Sequence, residues 1–169
     1  MKKDNIRDYA TEAFRFYAAL GKPSYEALKD AVYQYALQEE RKREVHTLAG
    51  ISNPVESQIR NAQLAVDELA ADLLDVLAVE KTLQILLARE NGREILTCLD
   101  TVYFTEPLRE IRRGEIQERV IFAAMLVPTS EPTVYRHLRL ARTVFAVERG
   151  LRCANVDSSR FKISDILAP

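Results

Sequence analysis

Apolar residues recur at intervals of three and four along most of the chain, and no stretch alternates long enough to indicate a β-strand. The pattern therefore predicts an all-α protein. Two helices predicted over 4–20 and 25–48 hold the main concentration of aromatic residues, which indicates either a packed aromatic core or a surface for a protein partner. Glycine marks the junctions between periodic segments, at Gly21, Gly50, Gly92, Gly114 and Gly150.

The longest periodic segment begins at Pro54 and reaches about Asn91. Spacings of four and three, with Glu80 as the single polar break, give it a heptad-like seam made of Ala62, Val66, Leu69, Leu73, Val76, Leu83 and Leu87. Further apolar residues widen this stripe, namely Ala70, Leu74, Leu77 and Leu86. The width favours a long central helix packed on several neighbours over a coiled-coil dimer. Because so long a helix is uncommon in a compact domain, we expect it either to run continuously or to bend near 75–79.

Over 117–152 the sequence changes to a short apolar helix, a tight turn and a longer basic helix. Either Ser130 or Thr129 is expected to cap the second helix, and Pro132 suits its first turn. The turn at 127–130 has no glycine, so it must avoid positive φ or place it on a strained residue. A buried stripe is predicted along the second helix, formed by Val134, Leu138, Ala141 and Phe145. This order of elements is the outline of a helix-turn-helix, whose second helix enters the major groove of DNA.

Other faces of the second helix supply the candidate DNA contacts. Thr133, Arg136, His137 and Leu140 share one predicted exposed face, where Arg136 can bind base edges. Tyr135, Arg139 and Arg142 flank this face, and phosphate contacts are expected for Arg139 and Arg142. The candidate DNA-binding residues are Ser130, Thr133, Tyr135, Arg136, His137, Arg139 and Arg142. Three arginines just before the first helix are either backbone contacts or solvated side chains, namely Arg109, Arg112 and Arg113. A basic amphipathic helix is often only a solvated helix, so this assignment rests on the order of helix, turn and capped helix.

The same stretch resembles a known family. Ser130 precedes the run T-V-Y-R at 133–136, and the helix closes with A-x-x-x-F-A-x-E-R-G at 141–150. These features resemble sigma region 4 and, more closely, sigma-like phage transcriptional regulators of the RinA/ArpU type, over roughly 92–152. A helix ending in Tyr103-Phe104 is also similar to the one that precedes the helix-turn-helix in sigma-like proteins.

The resemblance implies a phage- or prophage-encoded regulator that binds promoter or operator DNA, with bacterial RNA polymerase as a partner. The chain has no convincing counterpart of the sigma region that melts promoter DNA. Activation or repression is therefore expected, rather than autonomous initiation of transcription.

Charge is unevenly distributed along the chain. The whole protein has a net charge of −1, residues 1–90 have −3 and residues 91–169 have +2. Within 130–152 five arginines face two glutamates, which gives +3. Local positive charge of this kind supports phosphate contacts without making the whole protein basic.

Enzymatic motifs are missing from the sequence. It has no Gly-rich phosphate loop, Gly-x-Ser-x-Gly, His-Glu-x-x-His or Cys-x-x-Cys, and His46 and His137 lie in unrelated charged segments. We therefore predict no catalytic residue, no metal ligand and no cofactor. Cys98 and Cys153 are far apart and are interpreted as reduced thiols of a cytoplasmic protein. No apolar run could span a membrane, and no signal-peptide core follows Met1.

These observations predict a helical N-terminal domain over 1–90, a sigma region 4-like domain over 91–152 and a tail over 153–169. The leading interpretation is a transcriptional regulator that binds double-stranded DNA. The alternative is a helical interaction protein, such as a packaging subunit or adaptor, in which the helix pair is structural and the aromatic hairpin binds the partner. A homo-oligomer is compatible with both interpretations.

Overall fold

The computed structural model of the chain describes residues 5–44 and 54–151. Within these ranges every regular element is a helix, so the predicted all-α class is confirmed. The helices are α1 (Asn5–Ala19), α2 (Tyr25–Glu44), α3 (Pro54–Glu68), α4 (Ala70–Leu87), α5 (Gly92–Leu99), α6 (Glu115–Leu126) and α7 (Glu131–Glu148). A π-helical segment, Asp100–Phe104, continues α5 directly. The predicted tail over 153–169 lies outside the described residues.

One hydrophobic core joins α1, α4, α5, the π-helical segment, α6 and α7. Aromatic rings form its centre: Phe14 of α1 stacks on Tyr103 with 5.7 Å between ring centroids. Phe14 also meets Phe145 of α7 at 5.5 Å and an interplanar angle of 51°. Ring pairs at such separations add to the burial of apolar area. The core therefore crosses the predicted boundary between residues 90 and 91, and α1 packs directly on the π-helical segment and α7.

The helices that share this core are called the body, and α2 and α3 form a hairpin beside it. Among the described elements α3 contacts α2 and α4 only, and no described side chain of α2 is fully buried. Two hydrogen bonds fix the start of α2: Ser24 Oγ accepts from the Ala27 N–H at 3.3 Å, and Glu80 Oε2 of α4 accepts from the Tyr25 N–H at 3.0 Å. The hairpin is thus attached to the body mainly through the beginning of α2 and the junction of α3 with α4.

The expected long central helix is two helices, which corrects the prediction. The chain leaves helical geometry at Leu69 (φ −94°, ψ 11°), well before the bend expected near 75–79. The physical reason is that the neighbours change at the break: α3 lies along α2, whereas α4 contacts α2 and also packs against α1, α5 and α7. The apolar spacing gives no sign of this break, because Val66 before it and Leu73 after it are both buried.

Candidate nucleic-acid interface

Helices α6 and α7 pack on each other and on the core through the residues predicted to be buried. In α7 the whole stripe is inaccessible, with Val134, Ala141 and Phe145 at 0% exposure and Leu138 at 1%. In α6 Val120 and Ala123 are buried as well, followed by Val127 in the turn. The burial of this stripe confirms the helical register predicted for α7.

The four-residue connection between α6 and α7 needs no glycine. The Val127 N–H donates to the Ala123 carbonyl at 2.9 Å, and the Thr129 N–H donates to the Ala124 carbonyl at 3.2 Å. Among the described non-glycine residues only Lys22 and Glu106 have positive φ. The chain thus reverses direction at 127–130 without the left-handed conformation that glycine favours.

Ser130 occupies the N-cap position of α7 but does not cap it as predicted. Its backbone is extended (φ −91°, ψ 151°), and its side chain accepts no backbone N–H of the helix. Instead Ser130 Oγ and Thr133 Oγ1 lie 3.0 Å apart and share a hydrogen bond. The hydroxyl of Thr133 takes the place of the backbone N–H as the partner of Ser130, since short polar side chains form competing local hydrogen bonds. Pro132 lies in the first turn, as expected.

The solvent-exposed face of α7 is formed by Tyr135, Arg136, Arg139 and Thr143. Neither Arg136 nor Arg139 makes an ion pair or a side-chain hydrogen bond within 5–44 and 54–151. Arg139 was predicted at the flank of the helix, but it lies one turn beyond Tyr135 in the middle of the exposed face. Thr133, at the edge of that face, is half-buried.

His137 lies inside the protein, which corrects its predicted exposure. Only 7% of the residue is accessible, and its Nε2 is 3.4 Å from Asn91 Nδ2 while its Nδ1 is 3.7 Å from Cys98 Sγ. Burial is the main cause that lowers the pKa of His137, and the positive charge of Arg136 acts in the same direction. The sequence contained the signal, since His137 is three residues after Val134 and four before Ala141. The polarity of histidine favours an exposed position, but its spacing from the apolar residues is the better predictor.

Arg142 is also directed toward the protein rather than toward solvent. It is half-buried, and its Nη1 donates to the hydroxyl of Tyr103 at 2.6 Å. Because Tyr103 belongs to the π-helical segment and is 3% exposed, this hydrogen bond anchors α7 to the core. The guanidinium of Arg142, for which a flanking phosphate contact is predicted, is thus bonded within the fold.

A buried ion cluster at the start of α6 was missed by the sequence reasoning. Arg119 pairs with Glu115 at 2.6 Å. It also donates to the carbonyls of Val102 in the π-helical segment and of Thr105 directly after that segment. The Arg112 N–H donates to Glu115 at 3.0 Å, and this bond is the main cause that lowers the pKa of the Glu115 carboxyl. The cluster fastens the connection at 105–114 to α6. Its sequence signal is a Glu–Arg pair four residues apart at the edge of an apolar stripe.

The three arginines before α6 have different environments. Arg109 is paired with Glu106 at 2.7 Å and with Glu115 at 2.5 Å. Arg112 and Arg113 have exposed side chains and border a groove of about 670 Å³ between this connection and α6. Only these last two retain free guanidinium groups for an external partner.

Comparisons with protein-family models, curated proteins and solved structures found no match to this chain. Within 5–44 and 54–151 no group of three or more His, Cys, Asp or Glu side chains is arranged to hold a metal ion. None of the helices in those ranges has the length and apolar character needed to cross a bilayer.

Proposed function

We propose that this protein binds double-stranded DNA through the exposed face of α7, as a transcriptional regulator. The observation that supports this most directly is the pair of arginines on that face. Arg136 and Arg139 have no partner among the described residues, whereas Arg109, Arg119 and Arg149 elsewhere are paired with carboxylates. Free guanidinium groups on an exposed helix, next to a short turn and a supporting helix, suit contacts to phosphates and base edges.

The residues in the first two turns of α7 suit a helix that enters the major groove with its N-terminus first. Tyr135 is 41% exposed beside Arg136, and its ring and hydroxyl can contact sugar or phosphate. Glu131, exposed in the first turn, is unfavourable near phosphates but can accept a hydrogen bond from the N4 amino group of cytosine. Base contacts are therefore proposed for the first two turns of α7 and phosphate contacts for Arg139.

The resemblance to sigma-like phage regulators extends this proposal from DNA binding to transcription. A promoter or operator is the proposed target and bacterial RNA polymerase the proposed protein partner. Activation or repression is proposed rather than autonomous initiation, because the sequence has no convincing counterpart of a promoter-melting region.

A helical interaction protein is the second candidate, and one observation favours it. The outer face of α6 exposes two large apolar side chains one turn apart, Phe122 at 55% and Met125 at 74%. Exposed apolar residues that lie together commonly mark protein contacts. In this alternative α7 is structural, and its free arginines serve only to keep the helix solvated.

Salt-dependent DNA binding separates the two candidates. Binding to duplexes with a randomised core is measured over a range of salt concentrations for the wild type, for R136A/R139A and for R41A/R60A. The last pair removes the same charge from exposed positions of the α2–α3 hairpin. We expect a steep salt dependence that R136A/R139A reduces by about two units of slope and R41A/R60A leaves unchanged. Wild-type binding that is absent or insensitive to salt would reject the DNA-binding proposal.

A further inference from the structure

The outer face of α6 is a contiguous apolar surface. Ile121 is 41% exposed, Phe122 55%, Met125 74% and Leu126 51%. Positions i, i+1, i+4 and i+5 of a helix lie side by side, so these four side chains form one patch. Single exposed apolar residues need no explanation, but a patch of this kind marks a contact surface.

Half of this patch forms the wall of the groove beside α6. Phe122 and Leu126 line it on one side, and the exposed Arg112 and Arg113 line it on the other. The remaining arginines of the groove are neutralised by the Glu106 and Glu115 carboxylates, and Asp100 is paired with Lys22 at 2.7 Å. Glu118 alone opposes the two free guanidinium groups. The groove therefore fits an occupant with apolar side chains bordered by carboxylates.

The protein carries such a surface at the junction of α3 and α4. Residues 54–72 contain four carboxylates and one arginine, a net charge of −3. Asp67, Glu68 and Asp72 are exposed at the junction, next to Leu64 at 52% exposure and Leu69 at 42%. The segments outside the described ranges do not match the groove in charge: residues 1–4 and 152–169 each have +1, and residues 45–53 have none.

The acidic junction and the basic groove cannot meet within one molecule. α3 contacts only α2 and α4, whereas α6 contacts α5, the π-helical segment and α7. Both surfaces are exposed and apolar at the centre. The unpaired arginines of the groove, Arg112 and Arg113, are opposite in charge to the exposed carboxylates of the junction. A second copy of the chain is therefore the occupant that complements the groove.

We propose that the protein self-associates head to tail, with the α3–α4 junction of one copy seated in the α6 groove of the next. Leu64 and Leu69 cover Phe122 and Leu126, while Glu68 and Asp72 pair with Arg112 and Arg113 of the other copy. Such a contact is heterologous and leaves one free surface at each end of a pair, so it extends into a ring or a chain. The exposed face of α7 takes no part, so the proposal does not rest on DNA binding.

The test uses the full chain in sedimentation equilibrium at several protein and salt concentrations. Two charge reversals remove one surface each, R112E/R113E in the groove and E68R/D72R at the junction. Their matched controls reverse exposed charges elsewhere, R136E/R139E on α7 and E26R/D30R on α2. We expect the wild type and both controls to associate, more weakly at high salt, and each surface variant to associate at least about tenfold more weakly.

Mixing the two surface variants gives the decisive result. R112E/R113E retains an intact junction, and E68R/D72R retains an intact groove. The mixture should therefore associate again, although each variant alone associates only weakly. The intact junction of one variant fits the intact groove of the other, and the two reversed surfaces are again opposite in charge. Recovery in the mixture also shows that both variants are folded. A wild type that stays monomeric at every concentration, a surface variant that associates like the wild type, or a mixture that stays monomeric overturns the proposal.

Discussion

Arg149, the residue at the end of α7, donates a hydrogen bond from its Nε to the carboxylate of Asp75 in α4, 74 residues earlier in the chain. The hydroxyl of Tyr9 in α1 donates to the same carboxylate at 2.7 Å. The side chains of Arg149 and Asp75 are 21% and 15% exposed, so this contact is largely shielded from water. One carboxylate thus joins three helices of the body at the C-terminal end of α7.

Removing that carboxylate should destabilise the fold. In Asp75→Ala both Arg149 and Tyr9 lose their acceptor, and a half-buried donor left unpaired costs about 1–3 kcal/mol. The free energy of unfolding, measured with chemical denaturant, should fall by this amount. Asp30→Ala on the exposed face of α2 is the control and should change it little. An Asp75→Ala variant as stable as the wild type would show that the contact contributes nothing.

The second prediction concerns the contribution of the buried stripe of α7 to the free energy of unfolding. Leu138→Ala and Phe145→Ala each remove a side chain that is at most 1% exposed, and each should cost about 2–5 kcal/mol of unfolding free energy. Val147→Ala, on the same helix but 57% exposed, should cost much less. Denaturation midpoints that stay unchanged for both core variants would contradict the burial of the stripe.

Gly92 marks a third position where a single methyl group should matter. A Cβ atom built there would lie 2.5 Å from the backbone carbonyl oxygens of both Leu86 and Leu87. Neither oxygen belongs to a flexible side chain, so Gly92→Ala must displace the end of α4 from the start of α5, at a cost of about 1–3 kcal/mol. Thermal unfolding compared with Arg93→Ala, an exposed change one residue later, measures this effect. A Gly92→Ala variant that matches the control would show that the close approach is easily relieved.

The helices and the inward face of α7 were predictable because they follow from local periodicity. Other features depend on partners that the sequence does not reveal. The break at Leu69 arises where the neighbours of the chain change, although the apolar spacing continues through it. The contact between Asp75 and Arg149 requires the tertiary fold before it can exist. His137 is the instructive error, since its spacing indicated burial and its polarity suggested exposure. In the structure His137 is buried against Cys98, as its spacing indicated.

The burial of His137 predicts how stability changes with pH. Its pKa is lowered in the folded protein, so the folded state binds a proton less readily than the unfolded state, whose pKa is about 6.5. The stability that depends on the neutral imidazole is therefore present above this pKa and is lost as the pH falls below it through the lowered folded pKa. The nearby carboxylate of Glu94 opposes the shift, and Arg136 and the burial reinforce it.

The measurement compares the unfolding free energy of the wild type with that of His137→Gln between about pH 7.5 and pH 5. Gln retains polar groups near Asn91 and Cys98 but does not titrate. The wild type should lose stability relative to the variant as the pH falls. Parallel profiles for the two proteins would show that His137 titrates in the fold as it does in water.

The last prediction distinguishes the three arginines of α7 by their surroundings. Arg136 is exposed in the second turn, where a guanidinium can bond to O6 and N7 of guanine, and such a pair contributes about 1–3 kcal/mol of discrimination. Arg136→Ala should therefore weaken binding to a site selected from a randomised duplex library far more than binding to random DNA. Arg139→Ala should weaken both similarly and lower the salt slope by about one unit.

Arg142 should behave differently, because its guanidinium is bonded to Tyr103 inside the protein. Tyr103→Phe removes that acceptor and leaves the charge of Arg142 in place, so it should lower the unfolding free energy without changing the salt slope of DNA binding. Fluorescence anisotropy over a salt titration, together with denaturation of each variant, measures both quantities. If Arg136→Ala and Arg139→Ala bind as the wild type does at every salt concentration, the exposed face of α7 is not the DNA-binding surface. If Arg142→Ala lowers the slope by one unit with no loss of stability, Arg142 contacts phosphate and its bond to Tyr103 is not an anchor.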